Sequence, residues 1–249
     1  MNKRIVIVGG VAGGATALAR LRRLNEETEI ILLERGAYVS FANCGLPYYI
    51  GGVIQSRDAL FVSTPEAIMA KYNVDVRVQH EVLSIDRARK MLSVRENQTG
   101  ERYDLAYDTL LLSTGSRPIQ PPVEGFDGEN VFTLWNIPDT DRVYRYIEEH
   151  AVRRAVVIGG GFIGLEMAEN LVHRGIRVTV IEKANQVMAS LDYDMAQMVH
   201  HHLVEKGVDL ILENGVSRIE HDPQMSHVIP PSARGWRDGG PLPSPPPHP

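Results

Sequence analysis

The 249-residue chain is 43% hydrophobic and 23% charged, with a net charge of -5, which suits one large domain or two modest ones and excludes a wholly disordered chain. A single cysteine excludes an intramolecular disulfide framework, a CxxC redox pair and a zinc cluster built on thiolates. The acidic balance gives no pull toward nucleic acid or an anionic membrane, and no run approaches the ~18 apolar residues that span a bilayer, so small molecules are the expected partners and a reducing cytoplasm the expected compartment.

The N-terminus imitates a secretory signal: Asn2-Lys3-Arg4 precede IVIVGGVAGGATALA, with Ala17-Leu18-Ala19 as a mock cleavage site. Four glycines inside the apolar stretch and the amphipathic pattern that follows favour a fold nucleus instead. Arg4 to Val8 read as a buried strand, Ala12 to Asn25 as a helix with Ala15, Leu18, Leu21 and Leu24 on one face, and Glu29 to Glu34 as a second buried strand. The result is a right-handed βαβ unit with a glycine turn after its first strand. From Val74 to Asp104 the pattern alternates and breaks at Gln98-Thr99-Gly100, suggesting hairpins built from VDVRVQ, EVLSID and KMLSVRE. Thr109 to Gly115 read as one more buried strand ending in a small-residue loop, Pro118 to Pro122 as a linker, and Asp139 to His150 as a helix leading into a near-copy of the first unit at Ala155 to Glu182. The expected division is 1–117, 118–150, 151–221 and a tail at 222–249. Nine of the fifteen prolines fall in that tail, so no helix or sheet is expected there, and a reading-frame slip or cloning scar is preferred to a natural proline-rich extension.

Two glycine turns carry the chemistry. In the first, Gly9 to Gly14, Val11 replaces the middle glycine of a strict G-x-G-x-x-G. Gly9 permits the tight turn, while Gly13 and Gly14 let the helix that begins at Ala12 pack close and leave its amides free for a pyrophosphate. Glu34, twenty residues after Gly14, is placed to accept from a ribose diol, with Arg35 beside it. The second turn, Gly159 to Gly164, matches fully: Gly159, Gly161 and Gly164 are the three glycines, with Phe162 and Ile163 between. Glu182 ends its second strand and favours a 2′-hydroxyl over a 2′-phosphate, hence NADH over NADPH, a preference that Lys183 weakens. Two such units in one chain imply two dinucleotides and an electron relay.

Cys44 lies ten residues past Glu34 in SFANCGLPYYIGG. Composition alone reads it as an ordinary buried thiol. Its place next to the first nucleotide unit, with polar Ser40 and Asn43 before it and Gly45 and Pro47 turning into a helix after it, reads it as a reactive one. Arg20, Arg22 and Arg23 form a basic cluster on the first helix, read equally well as a solvated face. His200-His201-His202 cannot converge on one ion, because successive helical residues fan out by about 100°; they are read as surface with one packing inward, and no metal site is expected.

Together VGGVAGG, Glu34, SFANCGLPY, LLLSTGS and GGGFIGLEMAEN resemble the flavin-dependent pyridine nucleotide-disulfide oxidoreductases, in the single-cysteine branch that includes coenzyme A-disulfide reductase and NADH-dependent persulfide reductase. The resemblance runs from the N-terminus to about His221. It implies an α/β fold of two Rossmann-like, three-layer ββα units, the second nested in the first and incomplete. FAD then sits in the first unit under Ser113, Thr114 and Gly115, and NAD(P)H in the second with Glu166 near the nicotinamide. Electrons would pass from NAD(P)H through FAD to Cys44, which reduces coenzyme A disulfide or takes the outer sulfur of a persulfide. Arg23 and Arg20 would meet the phosphates of coenzyme A. An oxidase or peroxidase relative ranks third, since that branch carries histidine where Ala12 stands. A reading of another class is an inactive nucleotide-binding fragment or redox sensor. Family members run to roughly twice this length and add a C-terminal dimerisation domain, so a homodimer is expected of an intact parent and not of this chain.

Overall fold

The computed structural model describes residues 3–221 and the strand at 226–229. It separates into two compact units: residues 3–119 with Thr133–Arg145, and Gln120–Phe132 with the chain from Tyr146 onward.

In the first unit β1 (Arg4–Val8), α1 (Ala12–Leu24) and β2 (Glu29–Glu34) form the expected βαβ unit, with β1 and β2 parallel. A short helix, α2 (Leu46–Ile50), and α3 (Pro65–Tyr72) follow. Thr64 caps α3 by accepting from the Ala67 N–H at 3.2 Å, ahead of Pro65 at its first turn. Strand β3 (Asp75–Val78) then pairs parallel to β2, with Leu32 opposite Val76. This corrects the expectation that VDVRVQ belongs to a hairpin. Its alternation fits either partner, and the preceding helix returns the chain to the open side of β2, where only a parallel neighbour can form. The antiparallel meander is β4 (His80–Asp86), β5 (Met91–Glu96) and β6 (Arg102–Ala106).

Strand β7 (Thr109–Leu112) returns beside β1, giving the sheet order β3-β2-β1-β7. The small-residue loop follows from Ser113 as expected, but the strand lies at the sheet edge with Leu112 58% exposed, so the expectation of a buried strand fails. The four-stranded sheet has a core on each face. Ile7, Leu18, Ile30, Leu32, Val39, Ile68 and Val76 lie on the helix side. Val6, Ile31, Leu33, Leu92, Val94 and Leu105 lie against the meander. The alternation Ile30/Ile31/Leu32/Leu33 thus divides one apolar strand between two layers, as the period of two requires.

Helix α4 (Ile137–His150) begins two residues earlier than expected and carries the chain from the first unit into the sequence of the second. The second unit repeats the motif with β8 (Arg154–Ile158), α5 (Phe162–His173) and β9 (Arg177–Ile181), followed by α6 (Tyr193–Glu205) and β10 (Asp209–Ile211) in a parallel sheet ordered β10-β9-β8. Central β9 buries Val178, Val180 and Ile181, while edge strand β8 leaves Val156 and Ile158 exposed. Arg218–His221 (β11) pairs antiparallel with Ser226–Ile229 (β12). The expectation that nothing beyond Asp222 joins a sheet is therefore corrected: SHVI precedes the proline pair Pro230-Pro231 and keeps its amide donors. The remainder of the tail lies outside the described residues. Among the described residues no helix is long and apolar enough to cross a membrane.

Leu32 is wholly buried in the helix-side core. Leu32→Ala should lower the unfolding free energy by about 3 kcal/mol, measured by urea denaturation of the purified chain.

Candidate functional site

Each unit turns from its first strand into its helix through a glycine held in the same conformation, φ +102° at both Gly9 and Gly159. That backbone suits glycine alone, and it aims the following amides across the strand ends. A Cβ on Gly14 would meet the Gly9 carbonyl oxygen at 1.7 Å and one on Gly164 the Gly159 oxygen at 2.0 Å, so the third glycine of each turn sets how closely helix and strand approach. Val11 occupies the middle position at φ -92°, outside the left-handed region that favours glycine. At the equivalent Gly161 an added Cβ would meet nothing within 4 Å.

The helices that start at Ala12 and Phe162 have no side-chain cap and no acidic residue in the first turn. Their leading amides and positive dipole ends are the features that accept an anion. Phe162 and Ile163 lie exposed on the first turn of α5, and Glu166, half-buried one turn further on, accepts from Asn170 Nδ2 through its backbone carbonyl. On the other side of the first turn, Ser113 donates its N–H to Val8, and its hydroxyl lies where a Cβ on Gly13 would come within 2.3 Å. Ser113 and Thr114 thus follow β7 directly against the Gly9–Gly14 turn, with Gly115 next in the chain at φ +65°.

The acidic residues complete the turns. Glu34 Oε2 accepts from the Gly10 N–H at 2.8 Å and Oε1 from the Gly36 N–H at 2.7 Å. Glu182 repeats this with Gly160 at 2.6 Å and Ala184 at 2.8 Å. Each carboxylate oxygen keeps a further lone pair, so a carboxylate that fixes the turn can also accept from a hydroxyl. Arg35 is exposed, its guanidinium 5.1 Å from the centre of the Trp135 ring, and its carbonyl accepts from Asn97 Nδ2.

Cys44 is exposed, within a 3-10 turn at Asn43–Gly45 that leads into α2. Cys44 is not the ordinary buried thiol that composition alone suggests: its apolar neighbours Leu46 and Ile50 are buried while the turn leaves Asn43 and Cys44 exposed. Ser40, at the left-handed φ of +48°, reverses the chain just before this turn. Its N–H donates to the Gly10 carbonyl at 3.0 Å. The cysteine segment is therefore stitched to the same glycine turn that Glu34 holds. Of the helix arginines, Arg22 is structural: it donates to the carbonyls of Asn25, Glu26, Tyr72 and Asn73 and joins the ends of α1 and α3. Arg20 and Arg23 are exposed on the same helix.

Sequence reasoning missed Val187 and Met188 and did not single out His200 among the three histidines. Val187 packs on the second turn, where a Cβ on Gly160 would meet its Cγ1 at 2.6 Å, and Met188 N–H donates to the Gly160 carbonyl. Buried His200 accepts the Val187 N–H on Nε2 at 3.0 Å, leaving Nδ1–H toward Gln197 Oε1. His201 and His202 are exposed, which matches the reading of one histidine inward and two at the surface.

The model of the pyridine nucleotide-disulphide oxidoreductase family matches residues 3–234. The chain belongs to this family. The match continues thirteen residues past His221, where the sequence resemblance was drawn to end. Over 218 residues the chain is 36% identical to the coenzyme A disulfide reductase of Staphylococcus haemolyticus, covering 88% of this chain and 49% of that enzyme. The crystal structure of reduced Bacillus anthracis CoADR-RHD superposes with a TM-score of 0.87 at 52% identity, over 92% of this chain and 41% of that one. A NAD-dependent persulfide reductase from A. fulgidus gives 0.86 at 37% identity, over 91% and 42%. The chain thus spans about half the length of the curated relative and less of the two structures.

Two outcomes follow from the turn geometry. Gly14→Ala should destabilise the first unit by about 3 kcal/mol, since the obstructing atom is backbone. Gly161→Ala should leave unfolding within about 0.5 kcal/mol of wild type, with both variants read by calorimetry. Burial holds the His200 imidazole below its ordinary value of 6.5. The folded state thus binds fewer protons than the unfolded one, and this contribution is complete above about pH 6.5 and is lost as pH falls toward the lowered value. The melting temperature should fall on that acid limb, less steeply in His200→Gln.

Proposed function

We propose that the first glycine turn holds FAD, that the second holds NAD(P)H with a preference for NADH, and that Cys44 uses the electrons so delivered to reduce coenzyme A disulfide. The observation that carries the reading is the Ser40 N–H to Gly10 carbonyl bond, which ties the exposed thiol turn to the loop expected to cradle the flavin pyrophosphate. The donor set fits both dinucleotides: uncapped helix starts for the diphosphates, open space over Gly161, and Glu34 and Glu182 for the ribose hydroxyls. When bound, the two cofactors supply a two-electron path from nicotinamide to flavin.

What the chain contributes is the sulfur chemistry and its placement. The Cys44 thiolate attacks one sulfur of the substrate disulfide, the S–S bond breaks, and one coenzyme A leaves as thiolate while a mixed disulfide forms on Cys44. Two electrons and a proton then release the second coenzyme A thiol and restore the Cys44 thiolate. A lone cysteine suffices because the substrate brings the second sulfur. Asn43 and Ser40 flank the turn as its polar neighbours. Exposed Arg20 and Arg23 offer cations to the substrate phosphates. Glu182 accepts from a 2′-hydroxyl and repels a 2′-phosphate, which supports NADH.

A second reading, reduction of a persulfide or polysulfide, is favoured by the likeness to the persulfide reductase. Cys44 then takes the outer sulfur and releases sulfide in the reductive step. Coenzyme A disulfide is preferred, since it gives Arg20 and Arg23 a role.

The test is the visible spectrum of the purified chain before and after anaerobic NADH, followed by turnover with each substrate. Flavin absorbance that bleaches with NADH is expected. Cys44→Ser should keep the flavin spectrum and lose disulfide reduction by at least about a hundredfold. Reduction that survives the substitution refutes the thiol mechanism. Arg23→Gln should raise KM for coenzyme A disulfide and spare turnover of a small polysulfide.

A further inference from the structure

The Cys44 turn is braced by the segment at residues 56–62. Ala42 N–H donates to Leu60 at 2.8 Å, Val62 N–H donates to Ser40 at 2.9 Å, and Phe41 and Phe61 form an isolated antiparallel bridge. Gly45, next to the thiol, sits so close to Leu60 and Ile54 that an added Cβ would meet their methyls at 3.1 and 3.2 Å. Leu46, Leu60 and Ile137 are buried together, with Phe41, Tyr49, Ile54, Phe61 and Leu134 packed around them.

This clasp is anchored at one charged residue. Arg57 opens the 3-10 turn Arg57–Leu60 and forks onto Asp141 of α4, with Nε to Oδ1 and Nη2 to Oδ2 both at 2.8 Å. Nη2 also donates to the Tyr38 hydroxyl at 3.0 Å, and the guanidinium lies 5.3 Å from the ring centres of Tyr38 and Phe61. A planar fork with five donors, stacked between aromatic rings, holds an orientation that a lysine cannot reproduce. Tyr49 of α2 stacks on Tyr144 of α4 at 4.8 Å, so the helix that follows the thiol turn also meets α4.

We infer that Arg57, locked to Asp141, is a positioning residue for the Cys44 thiol: the pair fixes residues 56–62 on α4, and that segment fixes the turn that presents the sulfur. Neither residue touches the reacting atoms in this assignment. The inference rests on the reading of Cys44 as the redox group, and its own test needs neither flavin nor substrate.

The experiment is the rate of Cys44 alkylation by iodoacetamide across pH, on the full chain, in wild type, Arg57→Gln, Asp141→Asn and the double variant. A positioning role predicts that both single variants slow alkylation at neutral pH by about threefold to tenfold. Both should displace the pH–rate profile in the same direction, and the double variant should be no slower than either. A direct charge effect predicts opposite signs, since one variant strands an anion and the other a cation. Opposite signs, or rates equal to wild type, overturn the inference. Arg57→Lys, which keeps the charge and loses the fork, should behave as Arg57→Gln and serves if the glutamine variant fails to fold. Arg4→Gln, which breaks a surface pair with Glu29 remote in sequence from the turn, should leave the rate unchanged. Loss of disulfide reduction in Cys44→Ser is read separately, so failure of the redox reading and failure of the Arg57 assignment give different results.

Discussion

A carboxylate that accepts two backbone N–H groups holds each half of this chain in its working shape. Glu34 draws the glycine turn after β1 and the loop after β2 to one point, and Glu182 does the same for the second unit. Hydrogen bonds to an ionised acceptor are the strong ones, and losing one side of such a pair strands a partly buried charge. The turn, the entry angle of the helix and the end of the second strand are therefore set together. The neighbouring contacts build on that frame: Ser40 bonds to Gly10, and Gln79 N–H bonds to Gly36.

The same carboxylate must serve a ribose hydroxyl in the proposed function. Binding and architecture then share one group, and the site is preorganised because its acceptor is already oriented by the amides it holds. Repetition in the second unit, with Ala184 standing where Gly36 stands in the first, indicates that the clasp depends on backbone amides and tolerates a different residue after the acid.

The glycine turns, the acids that answer them and the strand–helix–strand order were legible in the sequence because each is local, set by spacing within about thirty residues. The cysteine turn was legible in kind, yet its exposure follows from Leu46 being claimed by a core that includes Leu60 and Ile137. Strand β3 was misread because alternation reports a half-buried strand without naming its partner. Arg57 and Asp141 lie 84 positions apart, and no periodicity marks such a pair. His200 could have been suspected only as the one member of HHH on the face of α6 shared with Ala196 and Leu203.

Two helix starts without side-chain caps or acidic residues carry a cost beyond the catalytic question. The amides that a serine or aspartate would normally satisfy are, under the proposed function, left for a phosphate group, and each unit would be completed by what it binds. Under the proposed function, the supply of flavin and nicotinamide nucleotides would govern how long a folded copy survives proteolysis as well as how fast it turns over. Abundance and activity would then respond to the same two metabolites, and a cell short of either would hold fewer intact molecules without any change in synthesis.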